Sequence, residues 1–239
     1  IGKDAADAMA LRDEIEAVRD RALAGLNDAH DYFTYTKGAW RMLQFAVQRD
    51  GLKFSLRNPS TNSTVNEEAL LGHAQRYVAE DLASATLQQF VSIFENFLSD
   101  ALRLWLLAFP KSFAKRQLSG KEIFGLPDKA AIVDALVEKE LKDVFYDRPA
   151  NWFEYLKDHV DTGAPAAAEA EQFAEVKATR DVLVHGQGVA NAYYVDKAGK
   201  AARAQSGQPL DVAEPYHQAS WELICKLVRD IGTGMAAKA

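Results

Sequence analysis

Apolar residues recur at steps of three and four along most of the chain, which is the pattern of helices that bury one face. The first run covers residues 4–36, and Gly38 separates it from a shorter apolar run over residues 40–47. Because glycine weakens the interior of a helix, this interruption predicts an N-terminal helical hairpin rather than one long helix.

A polar stretch with turn chemistry follows the hairpin. Residues 58–63 read Asn-Pro-Ser-Thr-Asn-Ser and offer nothing apolar to bury apart from the proline ring. Residues of these types favour turns, so we expect a hairpin and linker over residues 1–63 and a main bundle over residues 64–239. Thr64, with Glu67 three residues later, predicts a capping box where that bundle begins.

The main bundle contains several further helical runs. The first extends over residues 64–109 and is stopped by Pro110. One straight helix of that length would be about 65 Å long, so we expect a kink between residues 79 and 85. Further helices are predicted over residues 129–145 with Asp128 as the cap, 151–160, 166–184 and from 211 onward. The expected fold class is all-α, an antiparallel helical bundle.

One segment between the last two helices does not follow the helical pattern. Residues 189–195 have the β-branched and tyrosine content of a strand, and residues 197–207 supply turn residues. A short β-hairpin or loop is therefore expected there.

Composition limits the classes of function. The formal net charge is -6, so the molecule is no polycation and any nucleic-acid contact must be local. The single cysteine, Cys225, excludes an internal disulfide and fits a reducing, cytoplasmic compartment. We see no signal peptide, and no apolar run is long enough to span a bilayer, so no membrane contact is expected. The histidines are scattered without metal-ligand spacing, so neither a metal nor a cofactor is predicted.

The clearest candidate chemistry lies at the end of the helix predicted over residues 166–184. Arg180 supplies a fixed cation, and His185, five residues later, supplies an imidazole where partial negative charge favours its protonated form. Five residues of helix turn through about 500°, which sets the two side chains about 140° apart. They converge within one chain only if the helix unwinds at His185, which Gly186 permits.

This Arg-x4-His motif, followed by Gly186-Gln187-Gly188-Val189, resembles the signature of the HEPN superfamily. The upstream segment Phe94-Glu95-Asn96-Phe97-Leu98 is similar to the FExFL helix of a HEPN branch found among bacterial defence and toxin proteins. Asp181 stands where the family most often has asparagine. Gln187 stands where another toxin branch has tyrosine, which argues against that branch.

The resemblance implies an HEPN-like bundle that cleaves RNA without a metal. Arg180 would bind the scissile phosphate, and His185 would act as general base on the ribose 2′-hydroxyl or general acid on the leaving oxygen. Members of the family dimerise and place two such motifs at one cleft, so a homodimer with a composite active site is expected. Asp181 would orient His185 or the partner's arginine, and Glu95 would reach the cleft and pair with Arg180.

RNA would need further contacts outside the motif. Candidates are the cations and a tyrosine of two loop segments: Lys115, Arg116, Tyr194, Lys197, Lys200 and Arg203. An antitoxin or sensor protein is a further partner that such a system can have. Two alternatives stay open, namely a catalytically silent HEPN module that binds RNA or nucleotide or dimerises, and a helical protein–protein adaptor.

Overall fold

A computed structural model of the protein describes the backbone of residues 2–110 and 117–239 and the side chains of residues 8–78, 80–110 and 117–239. Helices make up most of the described chain, and the sheet that it contains has two short strands. The predicted all-α fold class is confirmed. No described helix is both long and apolar enough to cross a membrane.

The described helices and strands follow one another along the chain in a fixed order. The helices are α1 (Gly2–Asp50), α2 (Glu67–Arg76), α3 (Leu82–Ala108), α4 (Gly120–Phe124), α5 (Lys129–Tyr146), α6 (Pro149–His159), α7 (Ala167–His185), α8 (Ala192–Ala198) and α9 (Glu214–Ala236). The shorter elements are strands β1 (Ser55–Arg57) and β2 (Thr64–Asn66), a π-helical turn (Tyr77–Asp81) and a 3-10 turn (Gly199–Ala201).

The N-terminal hairpin predicted from Gly38 is wrong, because α1 continues through that glycine without a break. A single glycine weakens a helix by only about 1 kcal/mol, and the hydrogen bonds on both sides of it outweigh that loss. The helix ends instead at Gly51, whose φ of 66° is the left-handed conformation that glycine adopts readily.

Helix α1 is part of the main core rather than an appendage of it. It packs against α3 and α9, and its apolar stripe from Leu11 to Phe33 lies in one buried cluster with theirs. Helices α5, α6 and α7 cover the other side of α3. The domain boundary expected after residue 63 falls directly before β2 and stays a prediction.

Two predictions about the start of the main bundle have different outcomes. The predicted capping box is wrong, since Thr64 belongs to β2 and pairs with Arg57, while Asn66 caps α2 by accepting from the Ala69 N–H at 3.0 Å. The expected interruption of the long tract is present as the π-helical turn between α2 and α3, which overlaps the region predicted to kink.

The region after α7 also differs from its prediction. Residues 192–198 form helix α8 rather than a strand, since Asn191 caps this helix by accepting from the Tyr194 N–H at 2.8 Å. Extended pairing there is limited to an isolated bridge between Val189 and Pro209. Local capping by an asparagine has therefore overridden the β propensity of the tyrosines and valines.

A histidine lies at the centre of the α1–α3–α9 core. His217 of α9 is fully buried, and its Nε2 is 2.7 Å from the Thr86 hydroxyl of α3. The rings of Phe33 and Phe90 pack against it at centroid distances of 4.0 and 4.9 Å. Burial lowers the pKa of His217 to about 4, because the protonated ring would be a charge held away from water.

Two helical glycines, one with open space around it and one in close contact with another segment, provide a matched test of the structure. A side chain at Gly38 would meet no atom within 4 Å, whereas one at Gly234 would come within 2.7 Å of the Thr162 Cβ and 3.0 Å of its carbonyl oxygen. Gly38→Ala should therefore raise the free energy of unfolding by about 0.5–1 kcal/mol. Gly234→Ala should lower it by about 1–3 kcal/mol. Urea unfolding of both variants measures the pair, and a loss of stability in Gly38→Ala would contradict a continuous α1.

His217 should make the fold sensitive to mild acid. The histidine of the unfolded chain takes up its proton near pH 6.5 and the folded one only near pH 4, so stability is full above pH 6.5 and is lost as the pH falls toward 4. This difference corresponds to at most about 3 kcal/mol. His217→Gln should lose less stability than the wild type over that interval, measured by urea unfolding at several pH values. Parallel pH curves for both proteins would show that the histidine is not the cause.

Candidate functional site

Helix α7 carries the Arg-x4-His motif, and its packing decides which side chains can reach a substrate. Phe173 and Val176 bury one face of the helix in the core. The Glu169 carboxylate accepts from the Ala166 N–H at 3.0 Å and so satisfies a backbone donor at the N-terminus. With these anchors in place, the polar residues of α7 fall on two separate faces.

On the first face, four ionised side chains form one charge cluster: Lys177, Arg180 and Asp181 of α7 and Glu95 of α3. Arg180 pairs with Glu95 through one terminal nitrogen and with Asp181 at 3.0 Å through the other. The Lys177 ammonium is 3.1 Å from Glu95 and 3.2 Å from Asp181. The predicted pairing of Glu95 with Arg180 is thus confirmed, and the formal charges of the cluster cancel.

The charge cluster lies at a groove of about 520 Å³ between α3, α5, α6 and α7. Asn96, Ser99 and Lys142 add polar groups to the groove, and Trp152 forms part of its wall. The Lys177 ammonium lies 5.5 Å from the Trp152 ring centroid. The groove therefore presents cations, neutral hydrogen-bonding groups and the carboxylates of Glu95 and Glu138 beside an aromatic surface.

The Arg180 guanidinium is not fully satisfied by its two carboxylates. Its Nε–H is buried and has no hydrogen-bond partner among the described residues. A buried donor without a partner is unfavourable, so a further acceptor at this position would be stabilised. Phosphate oxygens match the planar fork of an arginine.

His185 is the last residue of α7, and the helix does not unwind before it. The Gly186 N–H still donates to the Val182 carbonyl at 2.7 Å. An ideal helix then places His185 about 140° from Arg180, so one chain does not bring the two side chains to the same point. The imidazole is exposed, and neither a hydrogen bond nor an ion pair connects it to the rest of the described chain. The described ion pairs of Asp181 go to Lys177 and Arg180, and none goes to His185.

The second polar face of α7 holds a buried carboxylate with four donors. One Glu175 oxygen accepts from the Thr179 hydroxyl at 2.7 Å, the Tyr194 hydroxyl at 2.8 Å and the Arg203 Nε–H at 2.9 Å. The other oxygen accepts from the Tyr216 hydroxyl at 2.8 Å. We refer to these five side chains as the Glu175 network.

The tyrosines of the Glu175 network remain protonated donors. Burial, together with the charge of the adjacent Glu175 carboxylate, raises the pKa of both Tyr194 and Tyr216 above its ordinary value. Arg203 also donates to the Asp211 carbonyl at 3.1 Å and stacks 3.5 Å from the Tyr216 ring centroid. The network therefore ties α7, α8 and α9 together.

Two predicted RNA contacts are corrected by this network. Tyr194 is 0% exposed and cannot stack on a base, and the guanidinium of Arg203 is held by Glu175 and Tyr216. Because residues 192–198 are helical, Tyr193 points outward instead and is 57% exposed.

The other predicted RNA contacts are less constrained by the structure. Lys200 is exposed, and the partly exposed Lys197 lies with its ammonium 5.1 Å from the Tyr193 ring centroid. The predicted contacts Lys115 and Arg116 lie outside the described residues. Lys177 was missed in the sequence, although its position four residues before Asp181 is the spacing of a helical ion pair.

The Glu175 network predicts which cations are structural. Arg203→Met removes the charged partner of a buried carboxylate and should lower the free energy of unfolding by about 3 kcal/mol. Lys200 lies three residues earlier and is exposed, so Lys200→Met should change the free energy of unfolding by less than about 0.5 kcal/mol. Urea unfolding at neutral pH compares them. Equal effects of the two substitutions would mean that Glu175 does not depend on Arg203.

The candidate site thus combines a neutralised charge cluster, an unpaired arginine N–H and an exposed histidine on one helix. Within the described part of the chain, no group of three or more His, Cys, Asp or Glu side chains is placed to hold a metal ion. Comparisons with protein-family models, with curated proteins and with solved structures gave no match to this chain.

Proposed function

We propose that this protein is a metal-independent endoribonuclease of HEPN type, which cleaves RNA through attack of the ribose 2′-hydroxyl. The observation that carries the proposal is the placement of His185. Its imidazole is exposed and without a partner in the described chain, at the end of a helix whose last three turns also present Arg180 and Lys177 in a groove. One helix therefore carries an acid–base group that is free to meet substrate and, on a different face, cations that suit a phosphate.

Each group has a role that follows from its chemistry. His185 transfers the proton of the 2′-hydroxyl or of the leaving 5′-oxygen, since imidazole is the usual general acid and base near neutral pH. Arg180 stabilises the charge that develops on the phosphorus oxygens through its terminal nitrogens, which pair with Glu95 and Asp181 before substrate binds. Lys177 adds a second cation, while Glu95 and Asp181 hold both cations in place before substrate binds.

A second copy of the chain completes the proposed site. Because Arg180 and His185 of one helix are set about 140° apart, a single copy cannot direct both at one phosphate. Two copies related by a two-fold axis can place the histidine of one beside the arginine of the other. Such a dimer also supplies two histidines, so that one acts as base and the other as acid. We place this activity in the cytoplasm, in a bacterial defence or toxin system, where an antitoxin or sensor would control it.

The neutral charge cluster favours one alternative, a silent HEPN module that binds RNA or nucleotide without cutting it. Arg180 already has two carboxylate partners, and a phosphate must compete with both. If this competition positions the phosphate poorly, binding persists while catalysis is lost. Cleavage and binding assays on the same variants separate the two functions.

The decisive experiment is cleavage of a mixed panel of single-stranded RNA and tRNA in EDTA. The wild type should cut with 2′,3′-cyclic phosphate ends, because the 2′-hydroxyl is the nucleophile. His185→Ala and Arg180→Ala should each reduce the rate by about 100-fold or more while the dimer persists. His73→Ala is the matched control, since this exposed histidine of α2 lies outside the groove, and it should leave the rate unchanged.

The other outcomes are equally informative. RNA that is bound but not cut by the wild type would establish the silent module instead. Cutting that His185→Ala and His73→Ala reduce equally would remove His185 from the mechanism. A wild type that neither binds nor cuts any RNA of the panel would overturn both proposals.

A further inference from the structure

A second cavity, of about 560 Å³, is formed by residues that do not line the groove of α7. Its walls are the C-terminal half of α1, helix α2, the π-helical turn and the segment that leads into α9. We call it the α1 pocket. Its apolar wall includes the side chains of Phe33, Trp40, Leu71, Val78 and Val212. A volume and lining of this kind are typical of sites for small organic molecules.

The α1 pocket has a buried cation in its wall. Lys37 is 8% exposed, and its ammonium lies 5.5 Å from the Phe33 ring centroid. Its carboxylate partner is Glu214, the first residue of α9. Beyond this ion pair, the ammonium donates no hydrogen bond with sound geometry to any described residue. A lysine has three N–H donors, and burying them unsatisfied is unfavourable, so an acceptor inside the pocket would be strongly preferred.

The partner of Lys37 is placed so that it can be exchanged. The Glu214 side chain is 59% exposed, at the rim of the pocket, and the Arg41 guanidinium is 4.0 Å from the same oxygen. The ion pair with Lys37 lowers the pKa of Glu214, so this carboxylate is charged at neutral pH. A half-exposed carboxylate loses little when it turns to water. The lysine remains in the wall and requires a new anion.

The charges around the α1 pocket indicate one negative charge on its ligand. Lys37 is the buried cation, and Arg41, whose side chain is exposed, is a second cation in the lining. The acidic side chains of Glu80 and Asp211 also line the cavity. These carboxylates would repel a phosphate that carries two charges, whereas a single carboxylate matches the one buried ammonium. The π-helical turn, which supplies Val78 and Glu80, is an arrangement that recurs at functional sites.

From these observations we propose that the α1 pocket binds a small organic carboxylate with a flat apolar body. The carboxylate replaces Glu214 on the Lys37 ammonium, and the flat body lies against Trp40 and Val78. None of the residues that line this pocket belongs to the groove of the charge cluster, so the inference does not rest on the proposed ribonuclease activity.

The test uses two probes with the same aromatic body, 2-naphthoate, which carries a carboxylate, and 2-naphthamide, which carries a neutral amide in its place. Isothermal titration of the full chain should show naphthoate binding at least tenfold more tightly than naphthamide. Lys37→Met, which keeps an apolar stem, should weaken naphthoate binding at least tenfold. Glu214→Gln should strengthen it several-fold, because the competing carboxylate is gone. Lys226→Met, a lysine of α9 that does not line the pocket, is the matched control and should bind like the wild type.

Each variant is also checked by thermal unfolding, which keeps the test decisive. Glu214→Gln leaves the buried lysine without its anion, so naphthoate should raise the melting temperature of this variant more than that of the wild type. Equal affinity for the two probes would show a merely apolar cavity and overturn the proposal. The same holds if Lys37→Met binds as the wild type does, or if neither wild type nor Glu214→Gln binds naphthoate. If Lys37→Met does not fold, the response of Glu214→Gln decides.

Discussion

The buried carboxylate of Glu175 is the constraint on which the C-terminal half of the structure depends. A buried charge must be paired and hydrogen-bonded. Three of the four donors to Glu175 come from three parts of the chain outside α7. Because Tyr194, Arg203 and Tyr216 all converge on one residue of α7, the rotation of this helix about its own axis is fixed. That rotation points Arg180 into the groove and leaves His185 facing water. A structural contact on one face of α7 thus decides the chemistry available on the other.

Much of the fold follows from local signals that the sequence states plainly. The helices α5 and α6 are predicted within a few residues, because apolar spacing, the Asp128 cap and the break before Pro149 agree. The predictions fail where hydrogen bonds formed by neighbouring residues outweigh the propensity of a segment. Gly38 predicts a break, but α1 has hydrogen bonds on both sides of it and continues. The strand propensity of residues 189–195 is likewise overridden by the Asn191 cap. Neither outcome is visible in a pattern of apolar residues.

The main residues of the site can be predicted from the sequence, but the ion pairs and hydrogen bonds that they form cannot. The position of Glu95 in a core-facing helix indicated that it needs a cation, and it has two. The spacing of Lys177 and Asp181 indicates an ion pair within α7, but the sequence could not show that Asp181 would also pair with Arg180. It also could not separate Arg203 from Lys200, because a buried carboxylate on another element decides which cation is held. Spacing along the chain identifies candidates, while three-dimensional pairing decides which of them keep charge to offer a substrate.

The α1 pocket and the Glu175 network, which orients α7, meet the same segment of chain, yet their chemistry is separable. Asp211 lines the pocket, and its carbonyl also accepts from Arg203 of the Glu175 network. This second contact is made by the backbone, so replacing a side chain at the pocket rim leaves it in place. Glu214 and Lys37 pair with each other and make no described contact with Glu175. Removing either charge should therefore change what the pocket binds and leave α7 oriented as before. Substitutions at the pocket thus test its ligand without disturbing the candidate site on α7.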